Sequence, residues 1–388
     1  MTPRPGASLD EVEQELRGRW PEVKSQISPD APLGVGLTLS GVASEEMLEG
    51  DRLDRFRDLL ESLGLYVVTI NGFAFGPVHG HAGEDNIFLP DWQDEERLGY
   101  SFRLSTILSR LLPDEIVEGG ISTCPLGHRG STDLGMPANW MVFTLNVVRV
   151  VQHLARLREQ TGKLIHLDLE PAPDGVLSTA EELAVFFERW LLTQGAAMLA
   201  DRAGNDPALA REQILDHVRV CFDTCHVAVA YETPQDALNR YAEVGIKVGK
   251  VHVSNGLEVS LPEDEVGRKR ISNEAESLGG IRQVAQRNRD GSMTGYPDLP
   301  EALANVRDPE AAEWRMHVHV PLFLDRYESI MTTQETVLAT LAHLRDRDIA
   351  SCLEIETHVR KVTLDGDELP IETLMTRELQ WVLDHVDA

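Results

Sequence analysis

The sequence predicts a (β/α)8 TIM barrel filling residues 1–388 as one domain, and three observations carry that prediction. Eight short runs rich in β-branched and apolar residues recur along the chain, each bounded by Gly, Pro or Asn. Segments with apolar spacing near 3.6 residues separate them, the alternation expected of βαβ units and a parallel sheet. Most of the runs are almost continuously apolar, as strands covered on both faces must be.

The strand candidates, in order, are 33–40 (LGVGLTLS), 65–73 (LYVVTINGF), 118–126 (EGGISTCPL), 164–170 (LIHLDLE), 218–224 (VRVCFDT), 249–254 (GKVHVS), 315–321 (RMHVHVP) and 351–356 (SCLEIE). Helical spacing covers 9–26, 51–63, 96–112, 139–161, 178–200, 234–245, 333–346 and 371–385. Ser178 followed by Glu181 reads as a capping box. Residues 256–313 break the rhythm, being polar and rich in Gly, Asn and Arg. A long excursion after a barrel strand suits a functional loop over the C-terminal face, a disordered insertion being the alternative.

Composition narrows the function. The net charge of −28 repels phosphate backbones and anionic membranes, so neither nucleic acid nor a membrane is an expected partner. The densest basic patch, Arg268-Lys269-Arg270, sits beside Glu263, Asp264 and Glu265. Cys124, Cys221, Cys225 and Cys352 are scattered, which suits buried reduced thiols. The N-terminus has no apolar signal region, and the longest apolar stretch, Met141 to Val151, is broken by Asn146 and Arg149. A cytoplasmic protein is expected, with an oligomer left open.

In barrels of this kind the chemistry sits at the C-terminal ends of the strands. Here those ends offer Glu170, Asp223 with His226 three residues on, His252, His317 and His319, and Glu356 followed by His358. Buried carboxylates are costly unless paired or bound to a cation, and Lys and Arg are nearly absent from these positions. A divalent metal held by Glu170, Asp223, His252 and Glu356 resolves the difficulty. The mixed donors do not choose among Mn, Mg, Zn, Fe and Co. Each residue also has a plainer reading: Asp223 as a helix cap, His252 as a core histidine, His79 and His81 as solvated loop residues.

The run CFDTCHVAVAYE (221–232) resembles the metal-binding Asp-x-x-His segment of endonuclease IV and the xylose-isomerase-like barrels. Glu356-Thr357 resembles the closing Glu-Thr of that group, and His252 stands where the group has a strand-seven ligand. More widely, TINGFAFGPVHG (69–80), LPDWQDEERLGYS (89–101), GISTCPLGH (120–128), LDLEPAPDG (167–175) and HVHVPLF (317–323) are together similar to the EboE family. These are sugar-phosphate-isomerase-like barrels encoded in a gene cluster linked to metabolite trafficking.

The resemblance implies metal ligation by Glu170, Asp223, His252 and Glu356. It implies that His226 and one of His317 and His319 serve a second metal or the substrate. We place His319 with the metal, and His226, His317 and Asn71 with the substrate. The three-metal set of endonuclease IV is only partly matched. The strand that usually precedes the helix 9–26 has no counterpart here, so either 315–321 completes the barrel, or one seam is open, or the assigned start lies too late.

The expected activity is a divalent-metal-dependent isomerase or epimerase of a sugar or sugar phosphate, with Glu170 and Glu356 as the catalytic acid–base pair. The alternatives are a metabolite-binding carrier barrel and, against the charge, an abasic-site phosphodiesterase.

Overall fold

Seven parallel strands curve into a nearly closed barrel. They are β1 (Leu33–Thr38), β2 (Leu65–Asn71), β3 (Glu118–Thr123), β4 (Leu164–Leu169), β5 (Val218–Asp223), β6 (Val248–Val253) and a late strand, Leu353–Ile355. They pair in that order, the late strand beside β6. The structure is a computed structural model describing residues 8–76, 87–204, 206–346, 349–356, 363–364 and 367–386. His79, His81 and His358 fall outside them.

The chain divides into two compact units. The first comprises Met1–Phe222, Leu238–Val251 and Ile349–Glu354; the second comprises Asp223–Ala237, His252–Asp348 and Ile355–Ala388. The sheet belongs to the first unit except for the last residues of β5, β6 and the late strand, which are counted with the second.

The strands form where the sequence is apolar on both faces. Every residue of β5 and of β6 is buried, as expected of parallel strands covered by helices. Many of the helices start on side-chain caps. Thr179, not Ser178, caps the helix Ala180–Phe186 by accepting from the Glu182 amide at 3.2 Å, and Glu182 accepts from the Ser178 amide at 2.8 Å. The cap therefore lies one residue beyond Ser178, and the glutamate returns to the residue before the cap, not to the cap itself. The long helix Pro137–Thr161 opens on proline and closes on Gly162 at φ 74°, a left-handed position that glycine adopts without strain.

Polar side chains occupy part of the sheet's inner face. Lys250 on β6 reaches Thr69 Oγ1 on β2 at 3.2 Å and Glu354 Oε2 on the late strand at 2.6 Å. A Cβ on Gly36 of β1 would stand 2.1 Å from Glu354 Oε1, so the late strand faces β1 across the seam. His166 Nδ1 lies 2.6 Å from Asp168 Oδ1, two residues along β4. Gly120 and Gly249 leave the space that the Asp168 carboxylate fills, since a Cβ there would come within 2.1 and 1.9 Å of its oxygens. Arg219 grips Glu118 with two bonds, 2.8 and 3.1 Å.

The second unit is built on an antiparallel sheet. In chain order its strands are β7 (Leu257–Ser260), β8 (Val284–Asn288), β9 (Met293–Tyr296), β10 (Ala311–Met316), β11 (Arg326–Tyr327) and β12 (Ile330–Thr332), arranged β11-β12-β7-β10-β8-β9. Leu257, Ile271, Val284, Trp314, Met316 and Ile330 are among its buried core. Trp314 Nε1 donates to Gln286 Oε1 at 2.9 Å. The late barrel strand follows as β13.

Two expectations are corrected here. Residues 315–321 supply no barrel strand. Their first two residues end β10, where Met316 pairs antiparallel with Leu257 and Val284, and 317–320 have no regular structure. Residues 256–313 are not an irregular loop but hold three strands, the first half of β10 and two helices, Glu265–Leu278 and Leu299–Ala304. Hairpin strands with one face half-exposed carry too few apolar residues to announce themselves. The basic patch also turns inward: Arg268 is buried and donates to the carbonyls of Pro262, Val306, Asp308 and Ala311.

Among the described residues no helix is long and apolar enough to cross a membrane. None of the four cysteines forms a disulfide among the described residues, and Cys352 is the one not fully buried.

Candidate metal centre

Asp223 does two jobs at once. It is the last residue of β5 and the N-cap of the next helix, Thr224–Val229, where its Oδ1 accepts from the His226 amide at 2.8 Å. Ser254 Oγ donates to the same oxygen at 2.8 Å and accepts from the Cys225 amide at 3.0 Å. With Oδ1 held by these donors, Oδ2 lies 3.9 Å from His252 Nδ1. The helix-cap reading and the ligand reading are therefore compatible. Each reading would use its own oxygen.

His252 is fully buried near the end of β6, and its Nδ1 is 2.9 Å from Glu356 Oε2. The Glu356 amide in turn donates to the Val253 carbonyl at 3.1 Å, which sets its side chain beside that strand end. Asp223, His252 and Glu356 each offer one ligand atom, all within 4.8 Å of one another. Two carboxylates and an imidazole at that spacing form a donor set suited to a first-row divalent cation.

A second cluster adjoins it. His226, on the third residue of its helix, directs Nε2 to 3.3 Å from Nε2 of His317, the two rings meeting edge to face at 88°. His319 stands with its ring centroid 5.5 Å from that of His317 and 6.2 Å from that of His226. Asp223, His226 and His319 form one possible ligand group, and Cys225, His317 and His319 another, each with ligand atoms within 4.8 Å. All are buried.

The outer contacts of these rings decide which nitrogen is available. His317 Nδ1 lies 2.7 Å from Gln283 Oε1, and His319 Nδ1 lies 3.1 Å from the Glu356 carbonyl. Each oxygen requires a proton on Nδ1, which leaves Nε2 with its lone pair, the arrangement found around metal-bound histidines. Burial, then the neighbouring His226, His319 and Arg282, holds His317 well below the usual histidine range, so it stays neutral and able to coordinate. Burial, with Asp223 and Glu356 adding to it, pushes the Cys225 thiol up. That leaves Cys225 the weaker donor of the group.

The other expected residues belong to the first unit. Glu170 follows β4, is 2% exposed, and donates its amide to the Thr123 carbonyl at 3.1 Å. Asn71 ends β2 and turns its side-chain oxygen back to the Phe73 amide at 3.1 Å, closing an Asx turn. Thus the structure gathers Asp223, His226, His252, His317, His319 and Glu356 in one unit. Ser254 and Gln283 were missed by the sequence reading. Ser254 lies two residues beyond His252, a usable signal, whereas Gln283 sits in a polar stretch with no strand pattern.

The sequence matches no protein-family model and no curated protein sequence. Among solved structures the chain is similar to a xylose isomerase domain protein from Planctomyces limnophilus at 14% identity, with 99% of this chain and 96% of that chain covered and a TM-score of 0.48. A xylose isomerase-like TIM barrel protein from Mycobacterium smegmatis, in complex with magnesium, gives 12% identity, coverages of 98% and 89%, and a TM-score of 0.47. The IolI protein with a bound zinc atom gives 11%, 91%, 88% and 0.43. Likenesses this distant say nothing of the chemistry of this chain, and the magnesium and zinc belong to those proteins.

Proposed function

We propose that this chain is a divalent-metal-dependent isomerase or epimerase of a sugar-like substrate. The observation that supports the reading is the meeting of Asp223, His252 and Glu356 at ligand spacing, beside three imidazoles whose Nδ1 or Nε2 atoms converge. Glu170 is assigned as a further ligand from the strand-end pattern of the sequence and from the resemblance. The EboE resemblance extends the proposal to a role in metabolite trafficking.

A divalent cation, when bound, supplies Lewis acidity toward adjacent substrate oxygens. The remaining work falls to this chain's own groups. Asp223 and His252 hold the ligand geometry, fixed by Ser254 and by the helix cap. Glu356 Oε2 and its counterpart Glu170 are the carboxylates to which we assign proton removal and return at the substrate carbon. We assign His226 and His317 to a substrate hydroxyl, His319 to the metal and Asn71 to substrate binding.

Solvent-deuterium exchange into a panel of ketoses and ketose phosphates tests the proposal. The expected result is exchange that depends on added Mn²⁺, Co²⁺, Zn²⁺, Fe²⁺ or Mg²⁺ and disappears in Glu356→Gln. Tight binding of a ketose with no exchange under any metal would instead establish a carrier. Nicking of abasic duplex DNA would establish a phosphodiesterase.

A further inference from the structure

Residues 282–283 are braced against His317 by the backbone. The Arg282 amide donates to the His317 carbonyl at 2.9 Å, and the His317 amide donates to the Gln283 carbonyl at 2.8 Å. The Gln283 side chain then returns to the same residue, its Oε1 standing 2.7 Å from His317 Nδ1. Three bonds thus join one histidine to one dipeptide. Two of them set where the ring hangs. The third sets which nitrogen carries the proton, because a neutral imidazole has a single N–H and an amide oxygen can only accept it.

The consequence falls on the opposite nitrogen. His317 Nε2 is the atom that stands 3.3 Å from His226 Nε2. If both nitrogens carried protons they would repel, and if neither did, two lone pairs would face each other. The contact is favourable when Nε2 of His317 is a bare acceptor, shared with the proton of His226 or with a cation. For His319 the matching proton goes to a backbone carbonyl, that of Glu356, which no substitution removes. For His317 it goes to a side chain.

We infer that Gln283 is a positioning residue: its amide oxygen fixes His317 as the Nδ1–H tautomer and thereby presents Nε2 to the cluster of His226 and His319. It touches neither metal nor substrate in this role and acts only through His317. The inference rests on the proposed metal chemistry for its purpose, though not for its geometry. It also gives 256–313 a function of its own, since the residue that orients the imidazole comes from that segment.

The test is a long-range ¹H–¹⁵N correlation spectrum of the full chain with ¹⁵N-labelled histidine, metal-free and at a pH where His317 is neutral. The wild type is expected to show His317 with its proton on Nδ1. In Gln283→Met that preference should be lost, and Co²⁺ affinity, read from its visible absorption on titration, should fall roughly 10- to 100-fold, as for other outer contacts of metal-binding histidines. In Gln283→Glu, which keeps an acceptor, Nδ1 should remain protonated and Co²⁺ affinity should recover. A proton on Nε2 in the wild type overturns the inference, since the amide is then turned to donate. So does an unchanged tautomer in folded Gln283→Met. If Gln283→Met does not fold, the wild-type and Gln283→Glu spectra decide alone. Failure of the wild type to bind any metal would count against the proposed function and leave the tautomer measurement standing.

Discussion

Lys250 Nζ and Glu354 Oε2 meet at 2.6 Å on the inner face of the barrel sheet, with 0% and 1% of their side chains exposed. Burial alone would lower the lysine pKa, but Glu354 overrides it and holds the ammonium well above its usual range, so the pair is ionic. Such a pair adds little net stability over apolar residues of similar volume, yet removing one partner strands the other charge. Lys250→Met alone is expected to destabilise the fold by roughly 3–5 kcal/mol. Lys250→Met combined with Glu354→Leu should recover most of that loss. Urea denaturation of the two variants measures both, and strictly additive effects would show that the charges do not depend on each other.

Gly249 and Gly18 predict opposite responses to the same substitution. A Cβ at Gly249 would lie 1.9 Å from Asp168 Oδ1, and Asp168 is fully buried and held by His166. Gly249→Ala should therefore cost roughly 3 kcal/mol or more, at or above the upper range for overpacking. Gly18 lies inside the helix Leu9–Ile27 with nothing within 4 Å of a Cβ. Gly18→Ala should gain roughly 0.5–1 kcal/mol from helix propensity. Thermal midpoints of the two variants should bracket the wild type.

His217 gives the fold a pH dependence with a definite sign. Burial lowers its pKa to about 4, against the bond its Nδ1–H donates to the Ile165 carbonyl at 2.7 Å. It is neutral when folded, whereas an unfolded chain binds a proton below pH ~6.5. Stability is therefore complete above that value and declines as the pH falls toward 4. By pH 4.5 this histidine should have removed roughly 2 kcal/mol. Denaturation of wild type and His217→Gln at pH 7.5 and 4.5 isolates it. The gap between the two proteins should narrow by that amount at the lower pH, and a constant gap would refute the assignment.

Asp223 allows cap and ligand to be separated. Asp223→Asn keeps an oxygen for the His226 amide and loses the charge, so elemental analysis should find little metal while the chelator-treated fold stays close to the wild type. Asp223→Ala should lose both, with roughly 1 kcal/mol of additional destabilisation from the missing cap. Full metal content in Asp223→Asn would remove Asp223 from the ligand set.

What could be read from the sequence follows the physics of burial. Strands covered on both faces, such as VRVCFD and VGKVHV, advertise themselves as apolar runs, and all seven barrel strands end within a few residues of the runs that predict them. The strand-end rule then pointed to Asp223, His252 and Glu356 without any contact information. The HVHV run misled because its alternation resembles a strand, while its two histidines face the cluster from an irregular stretch after β10. Gln283 was invisible for another reason: its importance lies in one bond to a residue 34 positions away. No local pattern records such a bond.

With Asp223 as a ligand, its carboxylate would tie metal loading to local order. On the proposed reading, a cation bound at Oδ2 would withdraw electron density from the whole group and weaken Oδ1 as an acceptor for the His226 amide. Occupancy of the centre would then register in the opening of a single backbone N–H, and deuterium uptake at that one amide would gauge metal content with neither substrate nor turnover.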